Sequence, residues 1–496
     1  MIPLSFWNIL AAFLAFLAFL CTRLFDFDIS IGLHTPPLPV SYLAGPAASS
    51  LERLSLHHAP SPNASTADVT AVILNWSRLP NVIRIVSILC SPLLDGVLAT
   101  ILIWNNNPSI ILKEEVLGCR HKVQVKNSPY NAYFGARFEA CATAPTPFCF
   151  IQDDDYLILP EIVYALRARA THTSPSGIFL QPPDEMLASA MSRISVDSRI
   201  HTSFSWLGYG SIIRRSEARD LLDVMRVLNL TDEEVKMADN YFSVLRNTFT
   251  ENWFDQNIPL GGGQAFTVGQ EGTERNNRHI RRAAELLDSI LLCEGPSCIL
   301  PELNSIPFIQ SGPPLELSST VAPCVGAACI LETSIGSLAN ALGSRAQAAR
   351  SILDVQNQSI RSLQPSDRDT YLKHPPSQAV DGKPETAFCH DGVKSGEHIT
   401  LELLHDVPPQ WSLLELAMLV DPGTGAMIRG ASFYLLGEGD PAIGGSPECH
   451  EVEGYTLEEC HVTTSHLSQG SLSLRLSFEQ ESMKPWCFHE MWIRGT

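Results

Sequence analysis

The sequence predicts an α/β layer with a mixed, mostly parallel sheet followed by an all-β sandwich, and three observations carry that reading. From residue 69 onward short apolar runs alternate with helix-compatible stretches, the pattern of strands joined by crossover helices. From about residue 371 short strands separated by turn residues take over, as they do in sandwiches. The third apolar run of the first part ends directly in three carboxylates, Asp153, Asp154 and Asp155. Ligands of open α/β sheets bind at the carboxyl ends of strands.

Residues 2–22 carry no charge and are nearly all apolar, enough as a helix to span a bilayer core of roughly 30 Å. A charged leader and a small-x-small cleavage site are both missing, so residues 1–29 read as an uncleaved membrane anchor rather than a signal peptide. Residues 30–67, rich in Pro, Ser, Ala and His, read as a stem. Thr70-Ala-Val-Ile-Leu-Asn is then a buried strand, residues 82–89 a helix, and residues 98–104 a second strand closed by Asn105-Asn-Asn-Pro. Pro147-Phe-Cys-Phe-Ile-Gln is the third strand, after which Pro160 opens a helix with Ile162, Val163 and Leu166 on one side. This unit runs over residues 68–292 and ends in a helix at 278–292. Residues 293–370 read as a connector with one Ala-rich helix at 335–353. The sandwich over 371–496 rests on His398-Ile-Thr-Leu-Glu-Leu, Ala431-Ser-Phe-Tyr-Leu-Leu, Leu472-Ser-Leu-Arg-Leu-Ser-Phe and Glu490-Met-Trp-Ile-Arg.

Composition narrows the function. Among 496 residues, 34 Lys and Arg stand against 53 Asp and Glu, a formal charge of −19 with no basic stripe, which argues against nucleic acid as a partner. Thirteen cysteines are present, and all but Cys21 lie beyond the apolar segment, an even set that an oxidising lumen could pair. Their connectivity is open, although Cys293 with Cys298 and Cys324 with Cys329 are near enough to close small loops. No Cys-x-x-Cys or His-x-x-x-His spacing marks a zinc site. Sequons at Asn63, Asn75, Asn229 and Asn357 suit a lumenal body behind a single-pass type II anchor in the Golgi or endoplasmic reticulum.

Three adjacent carboxylates repel one another, and a hard divalent ion or a strongly hydrogen-bonded turn is needed to hold them together. With a buried strand before them and a helix after, they fit a nucleotide diphosphate bridged to the protein through a metal. A solvated acidic turn is the competing reading.

With these elements the sequence resembles the exostosin-type glycosyltransferases, family 64, over residues 68–292. Val72-Ile-Leu-Asn-Trp-Ser-Arg-Leu resembles the family's opening strand and Tyr-Asn-Arg turn, with Arg78 matching and Ser77 in place of Asn. Ile103-Trp-Asn-Asn matches its second strand, and Arg137 stands at the family's spacing, sixteen residues before Asp153. Trp206-Leu-Gly-Tyr-Gly-Ser resembles the segment that recognises acceptor and sugar. Ala238-Asp-Asn-Tyr-Phe resembles the Cys-Asp-Asp-Ile motif, with Asn240 replacing the second acid. The resemblance implies the GT-A nucleotide-diphospho-sugar transferase fold and retention at the anomeric carbon. It implies Mn²⁺ or Mg²⁺ on Asp155, a nucleotide sugar, UDP-linked, held by Arg78, Asn105, Asn106, Arg137, Asp153 and Asp154, and Asp239 beside the anomeric carbon. Arg282, in the basic run after Gly261-Gly-Gly, is the positional match for the family's late Arg near the leaving diphosphate, with Arg281 and Arg278 as alternatives.

Residues Ser377-Gln-Ala-Val-Asp-Gly-Lys-Pro-Glu-Thr-Ala-Phe resemble the discoidin (factor 5/8 type C) pattern, with Phe388 in place of Trp, and Glu490-Met-Trp-Ile-Arg-Gly resembles the last strand of that jelly roll. The resemblance gives Asp381 and Thr386 a structural turn or calcium site. Trp411 and Trp486 read equally as core residues or as a sugar platform. The function expected is metal-dependent transfer of a hexosyl or N-acetylhexosaminyl group from a nucleotide donor to a glycan or glycoprotein. The alternative is a non-catalytic glycan-binding or adhesion protein built on a degenerate transferase fold.

Overall fold

The structure is a computed structural model that describes residues 52–53, 67–172, 177–256, 258–262, 269–292, 308–309, 319–336, 344–404, 413–436, 443, 447–452, 454–464 and 472–495. The expected anchor, nearly all of the stem, Cys293, Cys298 and Trp411 lie outside these residues. Among the described residues no helix is long and apolar enough to cross a membrane.

The first part contains β1 (Glu52–Arg53), β2 (Val69–Asn75), β3 (Leu98–Asn105), β4 (Val123–Asn127), β5 (Phe148–Gln152), β6 (Ile178–Gln181), β7 (Ile194–Val196), β8 (Ile200–Thr202), β9 (Ser211–Arg214) and β10 (Glu251–Phe254). Strands β4, β3, β2 and β5 run parallel. Strand β9 then inserts antiparallel between β5 and β6, and β10 continues parallel to β6. The α/β layer with a mixed, mostly parallel sheet is therefore as expected. Side chains of β2 alternate between two cores, Ala71 and Ile73 under the helices Leu79–Leu89 and Pro160–His172, Val72 and Leu74 under Gly135–Thr143 and Gln270–Leu291. Burial on both faces is why these strands read as unbroken apolar runs.

The second part holds β11 (Thr320–Pro323), β12 (Cys329–Thr333), β13 (Ser344–Arg345), β14 (Phe388–His390), β15 (His398–Leu403), β16 (Leu414–Val420), β17 (Ser432–Leu436), β18 (Glu448–Glu451), β19 (Glu458–Thr464), β20 (Leu472–Ser477) and β21 (Trp486–Gly495). The stretch 293–370 is more than a connector. Strand β11 pairs parallel with β10, β12 pairs antiparallel with β15, and a single 12-stranded sheet runs from β4 to β17. Over its described residues the helix expected at 335–353 is instead a turn at Ile335 and Gly336, the short strand β13 and a 3₁₀ turn, and the helix begins at Ile352 and runs to Ser362. A second sheet, ordered β1-β21-β16-β19-β18, faces the antiparallel end of the first. Leu401, Leu416, Leu474 and Phe488 fill the space between the two sheets.

Among the described residues five disulfides join Cys90–Cys119, Cys141–Cys149, Cys324–Cys329, Cys389–Cys487 and Cys449–Cys460. The turn expected at Asp381 is present, its carboxylate accepting from Thr386 Oγ1 at 2.9 Å and from the Lys383 amide at 2.9 Å. Trp486 is a core residue, edge-on to Phe388 at 5.1 Å between ring centroids.

Strands β11 and β12 belong to both cores. Val321 and Ile330 pack into the α/β layer, whereas Ala322 and Leu331 pack into the sandwich. Leu331→Ala is expected to cost about 2–5 kcal/mol. Unfolding in urea should remain one transition, with the tryptophan signals of both parts moving together.

Candidate active site

A cleft of about 670 Å³ opens at the carboxyl ends of β2, β3, β5 and β6. Its floor is the turn Asp153-Asp154-Asp155, which leaves β5 and is tied down from several directions. The Asp153 amide donates to the Gly208 carbonyl at 2.8 Å and the Leu260 amide to the Asp155 carbonyl at 2.7 Å. Asn81, in the first turn of the helix after β2, donates its side-chain amide to the carbonyls of Asp154 and Gly261 at 2.9 and 2.7 Å.

Two arginines divide the three carboxylates. Arg137, on the helix Gly135–Thr143 and only 1% exposed, donates one arm to Asp153 and the other to Asp239. Arg78, at the mouth, lies 2.7 Å from Asp154 and 3.4 Å from Asp155, and its Nε donates to the Gly262 carbonyl at 2.6 Å. Asp155 is thus the member of the triplet with the loosest cation contact. Burial, then Asp153, pushes its carboxyl up to about 6. Burial likewise pushes Asp239 up to about 7 against the pull of Arg137, and its Oδ1 has no hydrogen-bond partner among the described residues. Gly208 makes the arrangement possible, because a Cβ there would sit 2.2 Å from Asp153 Oδ2.

The structure sorts the expected site residues. Arg78, Asn106, Asp153, Asp154, Asp155 and Asp239 all line the cleft. Asn106 uses its side chain to hold the next loop, accepting from the Ala132 amide at 3.1 Å and donating to the Tyr133 carbonyl at 3.1 Å. Three expectations are corrected. Asn105 does not line the cleft; it is fully buried, accepts from the Asn75 amide at 2.9 Å and donates to Asn127 and to the Ile110 carbonyl. Arg137 does not line the cleft; its guanidinium pairs with Asp153 and Asp239 beneath it. Arg282 lies outside the cleft and pairs with Glu234 at 3.0 Å, because its helix turns Thr273, Asn276, Asn277 and Ile280 toward the cleft instead. Arg278 and Arg281 share the outer face with Arg282. The Asn75 sequon is buried as well, while Asn229 and Asn357 are exposed.

Trp76, Trp206 and Tyr209, from the segments the sequence reading singled out, complete the walls together with Glu185 and Tyr156, which it passed over. Trp76 stands 48% exposed at the rim. On the opposite wall Glu185 accepts from Trp206 Nε1 at 3.0 Å, beside Tyr209, whose ring packs edge-on against Tyr156 at 4.8 Å. Glu185 is pushed up to about 7 by burial first and by Asp184 second. The one available signal for the long helix was the i, i+3, i+4, i+7 spacing of Thr273, Asn276, Asn277 and Ile280, a half-polar stripe on a helix that otherwise buries Ile and Leu.

No protein-family model and no curated protein matches the chain. Among solved structures it is similar to the mannosyltransferase PcManGT from Pyrobaculum calidifontis in complex with GDP-Man and Mn²⁺, at 12% identity over 50% of this chain and 72% of that one, with a TM-score of 0.31. It is similar also to S. aureus TarS 1–349, at 12% identity over 46% and 67% with a TM-score of 0.30. A third likeness is to mannosyl-3-phosphoglycerate synthase from Rubrobacter xylanophilus, at 12% over 54% and 88% with a TM-score of 0.28.

Removing Arg137 leaves Asp239 buried and Asp153 half-buried without their cation, so Arg137→Ala is expected to lose about 3–5 kcal/mol of stability in urea denaturation. Glu185 gives a pH signature. Below its unfolded pKa of about 4.3 the proton favours the fold fully, and that contribution is lost as pH rises through 7. Glu185→Gln keeps an acceptor for Trp206 and removes this slope. Its melting temperature should fall less than that of the parent chain between about pH 5 and pH 8.

Proposed function

We propose that the chain is a metal-dependent glycosyltransferase that moves a sugar from a nucleotide donor, UDP-linked, to a glycan or glycoprotein acceptor. The observation that carries the reading is the acidic turn at the switch between β5 and β9, where two carboxylates are neutralised by arginines and Asp155 is left as an oxygen donor facing a 670 Å³ cleft. The donor set fits a hard divalent ion. Such sites take one or two carboxylates and complete their shell with substrate phosphates and water. Mn²⁺ or Mg²⁺ held by Asp155 would supply charge stabilisation for the departing diphosphate.

The chain's own residues supply the rest. Trp76 offers an exposed ring face at the rim for a nucleobase, with Ser77 and Arg78 next to it. Arg78 places a fixed positive charge where phosphates would enter, and donors preorganised toward developing charge are the main source of such catalysis. Asp239, held by Arg137, presents its uncommitted Oδ1 in a buried wall, suited to orienting the sugar or the acceptor hydroxyl. Retention of configuration comes with the family resemblance. The discoidin-like character of the C-terminal sandwich is proposed from its own pattern at residues 377–388, and the type II anchor at residues 1–29 from their uncharged apolar run. The disulfides among the described residues and the exposed sequons at Asn229 and Asn357 support the lumenal placement.

One observation favours the alternative, a non-catalytic glycan-binding protein. The Asp239 carboxylate is paired with Arg137, and Asn240, standing where the family has a second acid, is fully buried and does not line the cleft. Titration calorimetry of UDP with and without Mn²⁺ decides between the two. The transferase reading expects Mn²⁺-dependent binding that Asp155→Ala weakens at least about tenfold. A folded protein that binds no UDP under either condition would leave the binding-module reading.

A further inference from the structure

We infer that the β18–β19 hairpin carries a second metal site, for a borderline divalent transition ion of the Zn²⁺ class, built from Glu448, His450 and His461. One possible ligand atom of each of the three lies within 4.8 Å of the others. The placement follows from the ladder. Glu448 and His461 are direct cross-strand partners, and His450 lies two residues along β18, on the same face. The imidazole rings of His450 and His461 lie 5.4 Å apart, and His461 Nε2 is 3.7 Å from Glu448 Oε2.

Three features make this more than a chance cluster. The Cys449–Cys460 disulfide joins the position between the ligands, so the two strands cannot slide and the donors stay in register. Nδ1 of His461 is buried and has no hydrogen-bond partner among the described residues, so no hydrogen bond there fixes the tautomer and Nε2, on the Glu448 side, can offer its lone pair to an ion. Glu448 and His450 are exposed, so an ion has a path in and both side chains can turn toward it. Tetrahedral donors around Zn²⁺ stand about 3.4 Å apart, and closing from 4.8 Å needs side-chain rotation without backbone movement.

The donor types select the ion. Two imidazoles and one carboxylate suit Zn²⁺, Cu²⁺ or Ni²⁺, whereas Mg²⁺ and Ca²⁺ prefer oxygen donors throughout. Three protein ligands leave one tetrahedral position for water. The site sits on the edge strand of its sheet, where a bound ion would pin the open edge of the hairpin. A second candidate group, Cys449, Glu458 and Cys460, is set aside because its sulfurs are joined to each other.

The test uses the untagged full chain, stripped of metal and titrated with Zn²⁺ against a chromophoric chelator. Asp155→Ala serves as the background that removes the cleft's contribution. One Zn²⁺ is expected with equal affinity in the parent chain and in Asp155→Ala. His450→Ala, an exposed position that leaves the fold intact, should weaken it at least about tenfold, and Glu448→Gln should weaken it less. Zn²⁺ should also raise the melting temperature of the parent chain but not that of His450→Ala. Equal Zn²⁺ affinity in His450→Ala and the parent, or no Zn²⁺ held by Asp155→Ala, would overturn the assignment.

Discussion

Everything at the cleft depends on one guanidinium. Arg137 joins a carboxylate on the β5 turn to a carboxylate on the helix Asp239–Leu245, two elements respectively 16 and 102 residues away from it in the chain. Burying three charges together is costly unless each finds its partner, and the packing is arranged to let them meet. Gly208 withholds the Cβ that would strike Asp153, and its carbonyl takes the Asp153 amide. With Asp153 held and Asp154 paired to Arg78, the charge of the triplet that remains loosely compensated is that of Asp155. A carboxyl pushed upward by burial and by a neighbouring anion is one that a cation would stabilise. The clamp does not itself line the cleft, yet together with Arg78 it sets which of the cleft's carboxylates are left without a close cation.

The framework was legible because its periodicities are strong. Strands β2, β3 and β5 are runs of β-branched and aromatic residues bounded by turn residues, and the helices Leu79–Leu89 and Pro160–His172 carry Pro at their starts. The acidic turn was legible because residues of one charge do not gather after a buried strand without cause. Residue roles were less so. Asn105 and Asn106 are neighbours in sequence, but strand alternation turns the first into a side-chain network with Asn75 and Asn127 and leaves the second facing the cleft. Arg137 and Arg282 look alike as isolated letters. Only the tertiary placement of Asp239 and Glu234 shows that one is an internal clamp and the other a surface partner.

The seam between the two parts was hidden for a different reason. Thr320–Pro323 and Cys329–Thr333 are short and joined by the brief Cys324–Ala328 turn, and nothing in their local pattern says that one face belongs to each core. Their pairing partners, β10 and β15, lie roughly 70 residues away on either side, so the information is nonlocal. The consequence is mechanical. A continuous sheet with shared side chains makes the sandwich a buttress for β10 and β6, whose carboxyl ends lead into the wall that carries Glu185 and Trp206.

The two donor sets also explain why spacing found one and missed the other. The acidic triplet is contiguous, so a local reading sees it. The hairpin ligands come from positions i and i+2 of one strand and a cross-strand partner, a pattern no linear zinc spacing encodes. Their chemistry separates them further. All-oxygen donors beside Arg78 bind a hard ion well only when a ligand with phosphates helps neutralise the site, whereas two imidazoles bind a borderline ion on their own. An ion of the first kind would come and go with the nucleotide, and one of the second kind would stay with the fold.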